Sequence, residues 1–210
     1  MNIEELKKCL NKIKQRKIPK LYNTKKWKVF NKIGRRFEGD IWNGGGYKWK
    51  IECFSQIIKD MQPSIIFETG FNVGTSACMF LNQSKILVNN PVSVFSNDIN
   101  TRSIKSVNLL KKEFSNFEFI LGDSSIILPQ YLKENKLKID FAFVDGDHSY
   151  NGAYNDCKNF QPYIKKGGVI FVDDWWHDPI KKGTLDVKWD GWEKCEVPKY
   201  ERGARIFLKI

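Results

Sequence analysis

Histidine is scarce in this chain, at two copies, and no pair of cysteines stands in CxxC spacing. A His/Cys zinc cluster is thereby excluded. The five cysteines, Cys9, Cys53, Cys78, Cys157 and Cys195, are scattered and odd in number. A closed set of intramolecular disulfides is not expected, and reduced thiols point to an intracellular compartment. No apolar run approaches the roughly 20 residues of a membrane span. The first residues, Met1 to Lys8, lack the apolar block of a signal peptide, so a cytoplasmic protein without a membrane span is expected. Acidic residues are in deficit, 24 against 35 basic ones, for a net charge of +11. Many of the lysines come early, among them Lys7, Lys8, Lys12, Lys14, Lys17 and Lys20. Such an excess can attract nucleic acid, anionic membranes or acidic glycans, and equally serves solubility, which is the reading preferred here.

What is present is enough for one large domain, or for one domain with an extension. Residues 1–18 carry Ile3, Leu6, Leu10 and Ile13 at helical spacing, with Pro19 as the stop. Residues 19–50 read as irregular, with Trp27, Phe30, Ile33 and Phe37 as anchors. Gly44-Gly45-Gly46 reads as a turn between Trp42, Tyr47 and Trp49. We therefore expect an N-terminal extension over 1–50, serving as a lid or a homo-oligomer contact, and a catalytic domain over 51–210. Residues 51–61 form a helical pattern. Short apolar strands then alternate with helices: strands 64–69, 92–98, 117–121, 139–144 and 169–172, and helices 75–87, 101–114, 125–134 and 150–164. Two more strands are expected over 185–195 and 204–210. Strands apolar on both faces, alternating with helices, predict an α/β fold with a mostly parallel sheet covered on both sides.

Two stretches carry chemistry. The first is Glu68-Thr69-Gly70-Phe71-Asn72-Val73-Gly74, followed by Thr75-Ser76 opening a helix. Glycines allow a tight turn and close approach of a ligand, and the helix start offers unpaired N–H groups. In an open α/β sheet this is where ligands sit. The pattern E-x-G-x-x-x-G-[ST] departs from the dinucleotide fingerprint G-x-G-x-x-G. The second stretch is Val144-Asp145-Gly146-Asp147-His148-Ser149-Tyr150, with Val172-Asp173-Asp174-Trp175 further on. If the two preceding strands are neighbours, about 4.8 Å apart, Asp145, Asp173 and Asp174 converge. Carboxylates so placed repel unless protonated or bound to a cation, and an all-oxygen set suits Mg²⁺, Ca²⁺ or Mn²⁺ rather than zinc. The alternative is ordinary turn and cap chemistry for the same residues.

The first stretch resembles motif I of class I methyltransferases. The run FVDGDHSYNGAYNDCKNFQPYIKKGGVIFVDD is similar to a small family that includes macrocin-type and mycinamicin-type sugar O-methyltransferases and cephalosporin-hydroxylase-like proteins. The resemblance covers roughly 51–175. It implies a Rossmann-like, doubly wound sheet of seven strands with an antiparallel C-terminal strand, and S-adenosylmethionine as cofactor. Implied cofactor contacts are Glu68, Thr69, Gly70, Phe71, Gly74, Thr75, Ser76 and Asp145. Asp98 follows for the ribose, and Gly122, Asp123 and Ser124 lie beside the adenine. It implies Asp145, Asp173 and Asp174 as ligands of Mg²⁺ or Mn²⁺, and either His148 or Asp147 as the base. Trp175, Trp176 and His177 follow the ligands directly and are candidates for the acceptor site.

The expected activity is methyl transfer to a sugar hydroxyl of a glycan or glycosylated metabolite. Alternatives are a catechol or small phenol acceptor, an RNA methyltransferase or nucleic-acid-binding protein, and a non-catalytic glycan-binding module. The nucleic-acid reading rests on charge alone and lacks an Asn-Pro-Pro-Tyr-type or paired-cysteine motif. The composition, rich in Lys, Asn and Ile, suggests a bacterial cell or a virus-infected host cell.

Overall fold

A computed structural model describes residues 1–13, 45–197 and 203–210. The expected stop at Pro19 and the anchors Trp27, Phe30, Ile33, Phe37 and Trp42 lie outside those residues, as do the side chains of Tyr47 and Trp49. The helices are α1 (Ile3–Ile13), α2 (Gly45–Met61), α3 (Thr75–Leu87), α4 (Ile104–Glu113), α5 (Ser124–Glu134), α6 (Tyr150–Phe160) and α7 (Asp178–Leu185). The strands are β1 (Ile65–Thr69), β2 (Ser93–Asp98), β3 (Phe117–Leu121), β4 (Ile139–Val144), β5 (Ile164–Val172), β6 (Trp192–Glu196) and β7 (Arg205–Lys209). They form one sheet in the order β3-β2-β1-β4-β5-β7-β6. Strands β1 to β5 pair in parallel, and β7 runs antiparallel to both β5 and β6. The expected seven-stranded, Rossmann-like sheet is thus the one observed.

Alternate residues of each strand feed two cores. Ile66, Phe141, Phe143 and Phe171 face one side, with Leu6, Cys9 and Leu10 of α1, Cys53, Phe54, Ile57 and Ile58 of α2, and the buried face of α3. Phe67, Ala142, Val144 and Val172 face the other, against Leu128 and Leu132 of α5, Ala153, Cys157 and Phe160 of α6, and Ile180 of α7. Phe54 is the hub of the first core, with ring centroids 5.0 Å from Phe80 and Phe143 and 5.2 Å from Phe171. Strand order reverses between β1 and β4, and there the carboxyl ends of two adjacent strands open a crevice.

Several boundaries differ from expectation, two of them by enough to change an element's assignment. The helix expected at 51 begins at Gly45, so Gly45-Gly46 is its first turn rather than a loop, and the expected domain boundary after residue 50 falls inside α2. Glycine costs about 1 kcal/mol in a helix, which burial of Cys53, Phe54, Ile57 and Ile58 readily offsets. The stretch expected as strand from 185 contains the end of α7, and β6 starts only at Trp192. The signal for α7 was Asp178-Pro179, an acid and a proline in a first helical turn. Gly183 concealed it. That glycine is a packing requirement, because a Cβ there would lie 2.2 Å from the Tyr150 carbonyl oxygen of α6.

Candidate active site

The turn after β1 is shaped by its own backbone. The Gly70 and Phe71 N–H groups both donate to the Asn97 carbonyl, at 2.9 and 3.1 Å, so neither is offered to a ligand. Gly70 has φ +85°, and a Cβ on it would fall 1.9 Å from the Asp145 carbonyl oxygen. Only glycine lets the turns after β1 and β4 meet. Phe71 is buried beneath the turn, its ring 5.1 Å from Phe119 and 5.8 Å from Phe117. Thr69 is buried as well, and its carbonyl accepts the Asp145 N–H. Around this turn Lys50, Gly70, Phe71, Asn72, Thr75, Ser76, Met79 and Asp145 line a small pocket of about 60 Å³ at the start of α3.

Glu68 lies wholly below that surface. Its Oε1 accepts the Ser96 hydroxyl at 2.7 Å, and burial pushes its carboxyl up to about 8 although the Ser76 and Ser96 hydroxyls pull the other way. It is a neutral support for the turn near neutral pH. Asp98, at the end of β2, accepts the Asn72 N–H at 2.5 Å and the Asn100 N–H at 2.7 Å, one on each oxygen. Each oxygen has a second lone-pair site, so the carboxylate can still accept a hydroxyl. Asp123 caps α5 by accepting the Ser125 N–H at 2.8 Å, and Gly122 before it has φ +144°. Ile99, 68% exposed, and Leu121 and Ile126, also exposed, leave apolar surface beside Asp98 and Asp123.

Across the crevice the acidic residues divide into two groups. Asp173 is 2% exposed and forms a close ion pair with the Lys50 ammonium, which also stands 3.4 Å from Asp145 Oδ2. Burial and Asp145 raise the Asp173 carboxyl. Burial would raise Asp145 too, but Lys50 and His148 outweigh it and hold Asp145 below the usual carboxylate range. The second group is Asp145, His148 and Asp174, whose ligand atoms lie within 4.8 Å of one another. His148 Nε2 is 3.4 Å from Asp145 Oδ1 and 3.8 Å from Asp174 Oδ2. The hydrogen bond to Asp145 is the main reason the imidazole is held above its usual pKa. The expected trio of Asp145, Asp173 and Asp174 is therefore rearranged: Asp173 meets a lysine, and His148 stands with the other two.

Asp147 is committed elsewhere. Its oxygens accept the Ser149 N–H at 3.0 Å and the Ser149 hydroxyl at 2.6 Å, while Ser149 caps α6. Asp174 adopts φ +48°, a left-handed conformation that aspartate tolerates, and its Oδ1 accepts the Trp176 indole N–H at 3.1 Å. Trp176 is 62% exposed, whereas Trp175 is 8% exposed and packs on Phe207 under Arg205. Of the two tryptophan candidates for the acceptor site, Trp176 is exposed and Trp175 is core. His177 lies beside both, 5.5 Å from Trp176 and 6.4 Å from His148 between ring centroids.

Two residues escaped the sequence reading. Lys50 is one lysine among many and precedes Asp145 by 95 positions. Asp156 did carry a signal, since it shares the helical stripe of Ala153, Cys157 and Phe160 and is buried with them.

Comparison with known proteins places this geometry. Residues 67–175 match the family described as a methyltransferase domain. The rhamnosyl O-methyltransferase of Mycobacterium tuberculosis is 26% identical over 140 residues, covering 64% of this chain and 51% of that protein. The rhamnosyl O-methyltransferase of Mycobacterium leprae is 24% identical over 160 residues, covering 73% and 62%. The chain thus spans about half the length of the first of these relatives. Among solved structures, the SAH-bound methyltransferase of Podospora anserina superposes with a TM-score of 0.71 at 14% identity, over 100% of this chain and 97% of that one. A TDP-rhamnose 3′-O-methyltransferase of calicheamicin biosynthesis gives 0.65 at 15%, over 98% and 93%. At such identities the superpositions speak for the fold alone. With the family match spanning just over half of its residues, the chain belongs to the methyltransferase-domain family and has the class I methyltransferase fold.

Proposed function

We propose that this chain is an S-adenosylmethionine-dependent O-methyltransferase that acts on a sugar hydroxyl. One observation carries the reading: Asp145, His148 and Asp174 converge at the carboxyl ends of β4 and β5, and Asp145 also lines the pocket of the β1 turn. Acid, imidazole and cofactor turn thereby face one crevice. The rhamnosyl O-methyltransferase relatives support a sugar as acceptor.

The residues present fit the cofactor. Thr75 and Ser76 at the α3 start would take the methionine part, beside the close backbone that Gly70 allows, Asp98 the ribose hydroxyls, and the apolar surface of Ile99 and Leu121 the adenine. When bound, S-adenosylmethionine supplies the electrophilic methyl group. The carboxylates of Asp145 and Asp174 also offer oxygen ligands to a divalent cation such as Mg²⁺ or Mn²⁺, which would supply Lewis acidity to a coordinated hydroxyl, with the imidazole of His148 beside them left for the proton. Asp173 serves differently: it is balanced by Lys50 and holds that ammonium against Asp145.

His148 is the proposed base. Its Nε2 faces the acidic pair, is half-exposed, and takes the proton of the acceptor hydroxyl as the oxygen turns nucleophilic. Asp145 and Asp174 orient the ring and stabilise its charged form. Asp147 is tied to Ser149 and acts in the turn. Trp176, anchored through its indole N–H by Asp174, offers an exposed face on which a sugar can stack.

Labelled cofactor presented with a panel of rhamnosides, other glycosides and catechols tests the acceptor class. Transfer to catechols alone would overturn the sugar reading. Asp174→Asn is expected to lower turnover by at least about 100-fold, a usual scale for lost acid–base or metal assistance, with cofactor affinity nearly unchanged. Full turnover in that variant, or in the presence of EDTA, would remove the cation from the scheme.

A further inference from the structure

Asp156 has no part in the scheme above, yet it sits where three turns of the site meet. It lies on α6 and is 1% exposed, among Ala153, Cys157 and Phe160. Its Oδ1 accepts the Ser124 hydroxyl at 2.7 Å, and Ser124 opens α5 directly after the turn that follows β3. Its Oδ2 lies 3.1 Å from the place a Cβ on Gly146 would occupy, with the Thr69 Oγ1 3.4 Å from that same place. One side chain thus reaches the turns after β1, β3 and β4.

A carboxylate is a costly residue in such a position, since burial removes its hydration. The cost is visible: burial pushes the Asp156 carboxyl up to about 6, against the pull of the Ser124 and Thr69 hydroxyls. An apolar residue would fill the stripe more easily but would leave the Ser124 hydroxyl without an acceptor. The turn it holds needs an anchor. Gly122 at φ +144° has wide backbone freedom, and Asp123 fixes only the direction of α5, through its cap to Ser125.

We propose that Asp156 is a positioning residue for the cofactor's adenine, holding the turn Gly122–Ser124 at a fixed place relative to the turns of β1 and β4. The inference rests on the cofactor reading above. It is tested by calorimetric binding of two probes, S-adenosylhomocysteine and 5′-methylthioadenosine, which share the adenine and differ in the amino-acid part. Failure of the wild-type protein to bind S-adenosylhomocysteine would overturn the cofactor reading itself.

With wild-type binding in hand, Asp156→Ala is expected to weaken both probes by a similar factor of at least about tenfold, the scale of one lost charged hydrogen bond. Asp156→Asn keeps an oxygen for the Ser124 hydroxyl and is expected to stay within about threefold of wild type. Ser124→Ala should reproduce most of the loss, and adding it to Asp156→Ala should cost less than about twofold more, because both changes break one contact. A general loss of stability would not produce that non-additivity. Affinity unchanged in Asp156→Ala, loss confined to S-adenosylhomocysteine, or fully additive losses would each overturn the proposal. Should Asp156→Ala fail to fold, Ser124→Ala decides alone: a tenfold loss for 5′-methylthioadenosine supports the assignment, and unchanged affinity sinks it.

Discussion

Glu68 is a carboxyl with no water to hold its charge, and pH should expose that. Its pKa in the folded chain, about 8, stands above the ordinary 4.5. Between those values the folded state binds more protons than the unfolded state, so stability falls as pH rises, by at most roughly 1.4 kcal/mol per unit. Glu68→Gln keeps an acceptor for Ser96 and loses the ionisation. Urea midpoints from pH 5 to 8.5 should decline in the wild type and flatten in the variant; parallel curves would contradict the assignment. His148 shifts in the direction opposite to what burial alone would do, because Asp145 favours the imidazolium. The proposed base must be neutral to act, so the acid limb of the pH–rate profile should have its midpoint above 6.5. His148→Gln should remove that limb and about 100-fold or more of the turnover. Asp145, His148 and Asp174 were legible in the sequence because each follows an apolar strand closely, and strand ends place residues reliably. The Lys50–Asp173 pair was not legible, because it depends on how α2 crosses the sheet.

Elements were legible to the degree that their burial is symmetrical. Strands β1 and β4 are sealed on both faces over most of their length, so their apolar runs stand out, and β4 keeps the expected limits of 139–144, as does the partly covered edge strand β3 at 117–121. The ends of elements are shaped by neighbours instead. Strand β5 reaches back to Ile164 through a register shift opposite β4, where Lys165-Lys166-Gly167-Gly168 had the look of a turn. Helix α2 is an element with two duties. Phe54 seats it among Phe80, Phe143 and Phe171, and Lys50, one turn earlier, reaches Asp145 and Asp173. Phe54→Ala should therefore cost about 3–5 kcal/mol, as emptied aromatic sites do, and weaken the site as well as the fold. Denaturant unfolding measures the first effect. The second requires that turnover fall at temperatures where the variant is still folded; full activity there would separate the core of α2 from its reach into the crevice.

At the scale of the whole molecule, the site is a set of strand ends that no single chain segment connects. The turns after β1, β2, β3 and β4 each contribute one face, and Gly70 meeting Asp145 and Ser124 bonded to Asp156 are the seams between them. A ligand that touches several of those turns stabilises the sheet as one unit, since it binds the folded state and not the separated strands. At a free concentration 100 times its Kd, S-adenosylhomocysteine should add about 2.7 kcal/mol. For a chain of this size, about 2–4 °C per kcal/mol then predicts a rise in Tm of roughly 5–10 °C. The same scan with nucleic acid examines the alternative that the +11 charge raises, which requires a shift that fades with added salt. A Tm raised by nucleic acid and untouched by S-adenosylhomocysteine would move the function from the crevice to the surface. The reverse result ties the fold's stability to the ligand that its strand ends are shaped to hold.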